Sequence, residues 1–158
     1  MLDTRYCIAA ILAGVFITPT DSAHGQSTDT QAAITETLQR YETALNTSDT
    51  DAVMALYAED GVFMPQHFAS AVGEAQVRTA YNVVFATIKL DVEFDIVEIV
   101  QMADNWAFAR TNSVGTVKVL ESGDGGPEAN QELFVMQQID GDWKIARYAF
   151  SSTNPPRN

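Results

Sequence analysis

The chain has 158 residues, with 21 acidic against 9 basic side chains for a formal net charge of −12, and 46% of it is hydrophobic. That length fits one compact domain, and the apolar share is large enough to bury a core, which excludes wholesale disorder. A surface this acidic repels the phosphates of nucleic acid and of anionic membranes, so neither is expected as a partner.

Residues 1–25 carry a signal-peptide pattern. Arg5 precedes a nearly unbroken apolar run over residues 6–17, Pro19 breaks it, and Ala23-His24-Gly25 sets small residues ahead of a cut before Gln26. The run is too short to span a bilayer comfortably. The expectation is a secreted or periplasmic protein with its signal peptide cleaved near Gly25-Gln26, a mature domain over 26–158 and no membrane attachment. Cleavage removes Cys7, the single cysteine, and His24, so His67 remains as the only histidine. Thiol chemistry, disulfides and metal sites built from His and Cys are thereby excluded, and no calcium-loop spacing appears. No metal and no cofactor are expected.

In the mature chain, Ala33, Ile34, Leu38, Tyr41 and Leu45 recur at steps of three and four, one stripe of an amphipathic helix that Asn46-Thr47-Ser48 ends. Ser48 or Asp49 caps a second, shorter helix in which Val53, Leu56 and Tyr57 share a face. Glu59-Asp60-Gly61 then reads as a turn, Val62-Phe63-Met64 as a brief strand stopped by Pro65, and residues 66–72 as a loop. Gly73-Glu74 opens a third helix through Val77, Tyr81, Val84, Phe85 and Ile88. Beyond Lys89 the period becomes two: Leu90, Val92, Phe94 and Ile96 alternate with acids, and the alternation slips at Ile96-Val97, the signature of a bulge. Residues 106–120, 131–139 and 143–152 are further strands, with a loop over 121–127 and a hairpin turn at Asp140-Gly141. The Gly-rich loop is no phosphate cradle, because no helix follows it.

Helices first and long strands last imply an α+β domain, helices laid across a strongly curved antiparallel sheet that closes a cone around an apolar cavity. Residues Tyr41, 46–49, 55–60, 73–78 and 142–148 carry a resemblance to the nuclear transport factor 2-like superfamily, and within it to the SnoaL-like and SgcJ/EcaC group; the likeness covers about 30–152. That resemblance implies a cone-shaped fold with three N-terminal helices, and a function that the fold alone does not fix. Steroid-type isomerisation is one activity it offers. Tyr41 falls at the tyrosine of such enzymes, but the base position falls at Met64-Pro65 and the second acid among Phe134, Val135 and Met136, so that reaction is rejected.

His67 and Tyr41 are the remaining catalytic candidates, His67 because an imidazole beside the cone's mouth is the side-chain type suited to moving a proton and Tyr41 as a hydroxyl donor facing the cavity. Tyr57, Phe63, Met64 and Phe85 are expected to meet a ligand, as are Trp106, Arg110 and Phe134 from the strands. Trp106, Phe108, Arg110 and Asn112 share one parity and Ala107, Ala109, Thr111 and Ser113 the other; the sequence leaves open which set faces inward. The expected function is a homodimeric binding protein that holds a small apolar or polycyclic molecule in its cone. The alternative is a cofactor-independent cyclase, isomerase or dehydratase-type enzyme using His67 and Tyr41.

Overall fold

The computed structural model describes residues 22–155, with side chains from Thr28 onward. The expected signal peptide lies outside the described residues except for the backbone of 22–25. Helix α1 (Ser22–Thr47) and α2 (Thr50–Leu56) lead into β1 (Tyr57–Met64) and β2 (Ala71–Val72); α3 (Gly73–Thr87), β3 (Ile88–Ala103), β4 (Trp106–Val119), β5 (Gly125–Ile139) and β6 (Asp142–Ser152) follow. The strands form one sheet in the order β2-β1-β6-β5-β4-β3. All neighbours are antiparallel except β1 and β6, which run parallel, so the sheet is mixed and not wholly antiparallel as the sequence suggested. The extra strand β2 is formed by the end of the expected loop, where Val72 and Ala71 pair with Val62 and Phe63.

The helices form where the periodicity put them. Ile34, Leu38, Tyr41 and Leu45 of α1 are buried, Ala33 is exposed, and Ser48 (φ 58°) takes the left-handed conformation that ends the helix. The Asp49 carboxylate then caps α2 by accepting from Ala52 N at 2.9 Å. Glu59-Asp60-Gly61 does not turn the chain; it is an irregular stretch inside β1, whose register with β6 shifts between Tyr57 and Val62.

The slip at Ile96-Val97 is a register shift against β4 between Ile96 and Glu98. β3 is an edge strand, and α1 covers its open backbone. The Asn46 amide donates to Val92 O and accepts from Val92 N, at 2.7 and 2.8 Å, while Glu42 accepts from Phe94 N at 2.7 Å. Opposite Val92, Gly115 allows the curl: a Cβ there would sit 2.1 Å from Asp91 O and 2.7 Å from Val92 Cα, backbone atoms that cannot step aside. Asp140 and Gly141, both at positive φ, make the tight turn between β5 and β6.

Strand parity is decided by this curl. Ala107, Ala109, Thr111 and Ser113 face the helices and are buried, whereas Arg110 and Asn112 lie on the exposed outer face.

Candidate functional site

The helices and the curved sheet enclose a cavity of about 710 Å³. Its wall is mostly apolar, with Ala75, Ala80, Val83 and Val84 from α3 on one side and Leu90, Val92 and Phe94 from β3 on another. The 65–71 segment, including Phe68, contributes a further part of the wall. Tyr41, Phe63, Tyr81, Tyr148 and Phe150 add aromatic surface.

One wall is polar. Glu128, Asn130 and Glu132 alternate on the cavity face of β5, and Ser113 joins them from β4. Glu132 is 4% exposed, and Thr111 Oγ1 donates a short hydrogen bond to its Oε2. Burial raises the Glu132 carboxyl above the usual carboxylate range, against the opposing pull of hydrogen bonds from Thr111, Ser113 and Tyr148.

Deeper in the core three phenol hydroxyls meet: Tyr41 is hydrogen-bonded to Tyr81 at 2.5 Å, and Tyr81 to Tyr57 at 2.9 Å. Each phenol has one proton, so Tyr81, which meets both Tyr41 and Tyr57, donates to one of them at most. Burial raises the pKa of these three and of Tyr148 well above the ordinary tyrosine value, so they stay neutral.

Of the residues singled out from the sequence, Tyr41 and Phe63 lie on the cavity wall. His67 is exposed at φ 70°, its Nε2 2.6 Å from Gln66 Nε2, and it is not on the wall although its neighbours Gln66 and Phe68 are. Arg110 lies on the outer face, its Nε 2.8 Å from Glu98 Oε1, and Trp106 shares its parity. Phe134 is fully buried, stacked on Tyr148 at 4.3 Å, so it supports the wall and does not form it. Tyr57 stands behind Tyr81, Phe85 packs on Tyr81 at 5.8 Å, and Met64 alternates away from Phe63. Arg78 pairs with Asp51 and Arg147 with Asp60, both at the surface.

Sequence reasoning missed Glu132, and with it Asn130 and Glu128. Glu132 stands on the same face of β5, two residues before Phe134. The signal was there: Glu128, Asn130 and Glu132 share the parity of Phe134 and Met136, so polar residues continue a buried face. Among the described residues no group of three His, Cys, Asp or Glu side chains is placed to hold a metal ion.

A cone of helices on a curled sheet, open at one end to a cavity, defines a nuclear transport factor 2-like protein. A SnoaL-like domain model matches residues 38–148, and the chain belongs to that family. A ketosteroid isomerase-like protein from Erwinia carotovora atroseptica SCRI1043 is 38% identical over 78% of this chain and 96% of its own, with a TM-score of 0.76. A nuclear transport factor 2-like superfamily protein from Salmonella enterica is 17% identical over 82% of this chain and 94% of its own (TM-score 0.72). The hexachlorocyclohexane dehydrochlorinase LinA-type3 from Novosphingobium barchaimii LL02 is 10% identical over 83% and 91%, with a TM-score of 0.73. The last two likenesses are of fold alone. No curated protein matches the chain.

Proposed function

We propose that this SnoaL-like domain is a binding protein for a small, largely apolar molecule seated in the cone between α3 and the sheet. The observation that carries this reading is the cavity: about 710 Å³, walled by aliphatic and aromatic side chains, and reaching a buried carboxyl.

A second reading rests on one observation. A desolvated carboxylate such as Glu132 is a stronger base than a solvated one, and a substrate placed against it with an acidic C–H could lose a proton to it. In that reading the base is Glu132 and not His67, and the reaction is an isomerase or lyase step without cofactor.

Export and dimerisation complete the proposal. The pattern over residues 6–25 supports export with cleavage before Gln26. On the outer sheet face Val114 is 61% and Leu133 47% exposed, the apolar surface a second copy would cover.

The test is saturable binding of the neutral apolar probe N-phenyl-1-naphthylamine by fluorescence, with and without Thr79→Trp, which fills the cavity from an exposed position of α3. One site lost in the variant is expected. Absence of saturable binding, or binding indifferent to the tryptophan, refutes the proposal.

A further inference from the structure

Two segments supply the exposed part of the cavity wall. One is residues 65–71, between β1 and β2, and the other is the face of α3 that carries Gln76, Thr79 and Val83. Phe68 lines the cavity from the first segment and is 79% exposed. The other aromatic side chains on the wall are all buried or half-buried. Across the mouth, Val83 is 60% exposed on α3. An apolar ring left in water at the opening of an apolar cavity gains by leaving that water as soon as something apolar fills the space beside it.

The segment is fixed at its ends and loosely held between them. Val62 and Phe63 pair with Val72 and Ala71, and the Gln66 Oε1 accepts from Ser152 N at the end of β6. Past Gln66 the holds turn back on the segment itself: Phe68 N donates to Pro65 O at 3.3 Å, and the His67 ring meets the Gln66 amide. Among the described residues, no side chain of 67–70 hydrogen-bonds to α3 or to the sheet, and Phe68 makes no ring contact. His67, at φ 70°, turns the chain just ahead of Phe68, and the small Ala69 and Ser70 follow it. So few contacts make this a stretch that can shift without disturbing the core.

We infer that residues 66–70 are a lid, in which Phe68 folds inward over the bound ligand and closes the mouth of the cavity. This deepens the binding-site reading above and rests on it. The apolar gain of closing exists only when the cavity is filled, so the lid stands open in the free protein and shuts after the ligand has entered. Closure therefore slows escape and leaves entry unchanged. A phenyl ring seals apolar surface, so the end of the ligand that lies at the mouth is apolar.

The test uses N-phenyl-1-naphthylamine and the whole protein, with rates measured by stopped-flow fluorescence. Phe68→Ala is expected to raise the dissociation rate constant at least about tenfold, the order that burying most of a phenyl ring supplies, while association stays within about twofold. Phe68 is exposed, so this substitution leaves folding intact. Phe68→Trp, which keeps a ring large enough to close, dissociates within about threefold of the native protein. Met102→Ala, at an exposed apolar residue near the end of β3 and off the cavity wall, changes neither rate. Amide hydrogen exchange separates a lid from a fixed contact: with the probe bound, exchange over 66–70 slows at least about fivefold in the native protein and not in Phe68→Ala. Dissociation unchanged in Phe68→Ala, or a segment that exchanges as fast with the cavity filled as with it empty, overturns the inference and leaves the binding-site reading standing. Absence of saturable binding to the native protein overturns both.

Discussion

Replacing Thr111 by Val tests the electrostatics of the polar wall. The two side chains have nearly the same shape, and Thr111 is fully buried, so the substitution opens no cavity and removes one hydroxyl that donates to Glu132 Oε2. A hydrogen bond to a charged group contributes about 1.5–3 kcal/mol and a neutral one about 0.5–1.5 kcal/mol. The cost of Thr111→Val is therefore about 1.5–3 kcal/mol above the folded-state pKa of Glu132, where the carboxyl is ionised, and about half that well below it, where it is protonated. In a Glu132→Gln background the cost above that pKa falls to the neutral value. Urea unfolding of the four proteins on both sides of it measures this directly. A cost independent of pH, together with additive single and double substitutions, refutes the assignment of Glu132 as a buried anion held by Thr111.

Glu132→Gln has its own pH signature. Burial raises the folded-state pKa of Glu132, so its contribution to stability is fully present below the unfolded-state value of about 4.3 and is lost as pH rises through the folded-state pKa. The variant should gain on the native protein between pH 4 and pH 8 in thermal unfolding, and a constant difference across that range contradicts the shift. Gly115→Ala should cost about 1–3 kcal/mol by chemical denaturation, because the new Cβ meets the backbone of Asp91 and Val92; a loss below 0.5 kcal/mol means β3 can retreat (about the scatter of surface substitutions). His67→Ala should leave the affinity for N-phenyl-1-naphthylamine within about twofold, since His67 is exposed and off the cavity wall. A larger loss returns His67 to the site.

Much of the fold is legible in the sequence because it is written in local terms. The stripe through Leu38, Tyr41 and Leu45 makes a helix, Asp49 caps the next one, and the change of period beyond Lys89 marks where helices give way to sheet. Even the bulge at Val97 can be read, since a slip in parity leaves the strand no other way to keep its apolar residues on one side. The turn misread at Glu59-Asp60-Gly61 shows the limit. Turn-forming residues there are an unpaired stretch carried along inside β1, because Tyr57 before them and Val62 after them pair with Ile145 and Arg147 of β6, more than 80 residues later in the chain.

The site was less legible, for a physical reason. Alternation tells that a strand has two faces and says nothing about which one turns inward when both carry apolar residues. On β4 the large side chains Trp106 and Phe108 take the outer face, and Ala107 and Ala109 the inner one, opposite the buried Met136 and Phe134 of β5. That choice sends Arg110 outward to Glu98 and brings Thr111 and Ser113 inward to Glu132. The sequence by itself determined the three helices and the long strands in their order, but not β2 or the length of β1. Only the tertiary structure decided that Glu132 on β5 meets Thr111 on β4 and that Tyr41 on α1 meets Tyr81 on α3, because residues so far apart in the chain are joined only by how the sheet and helices pack.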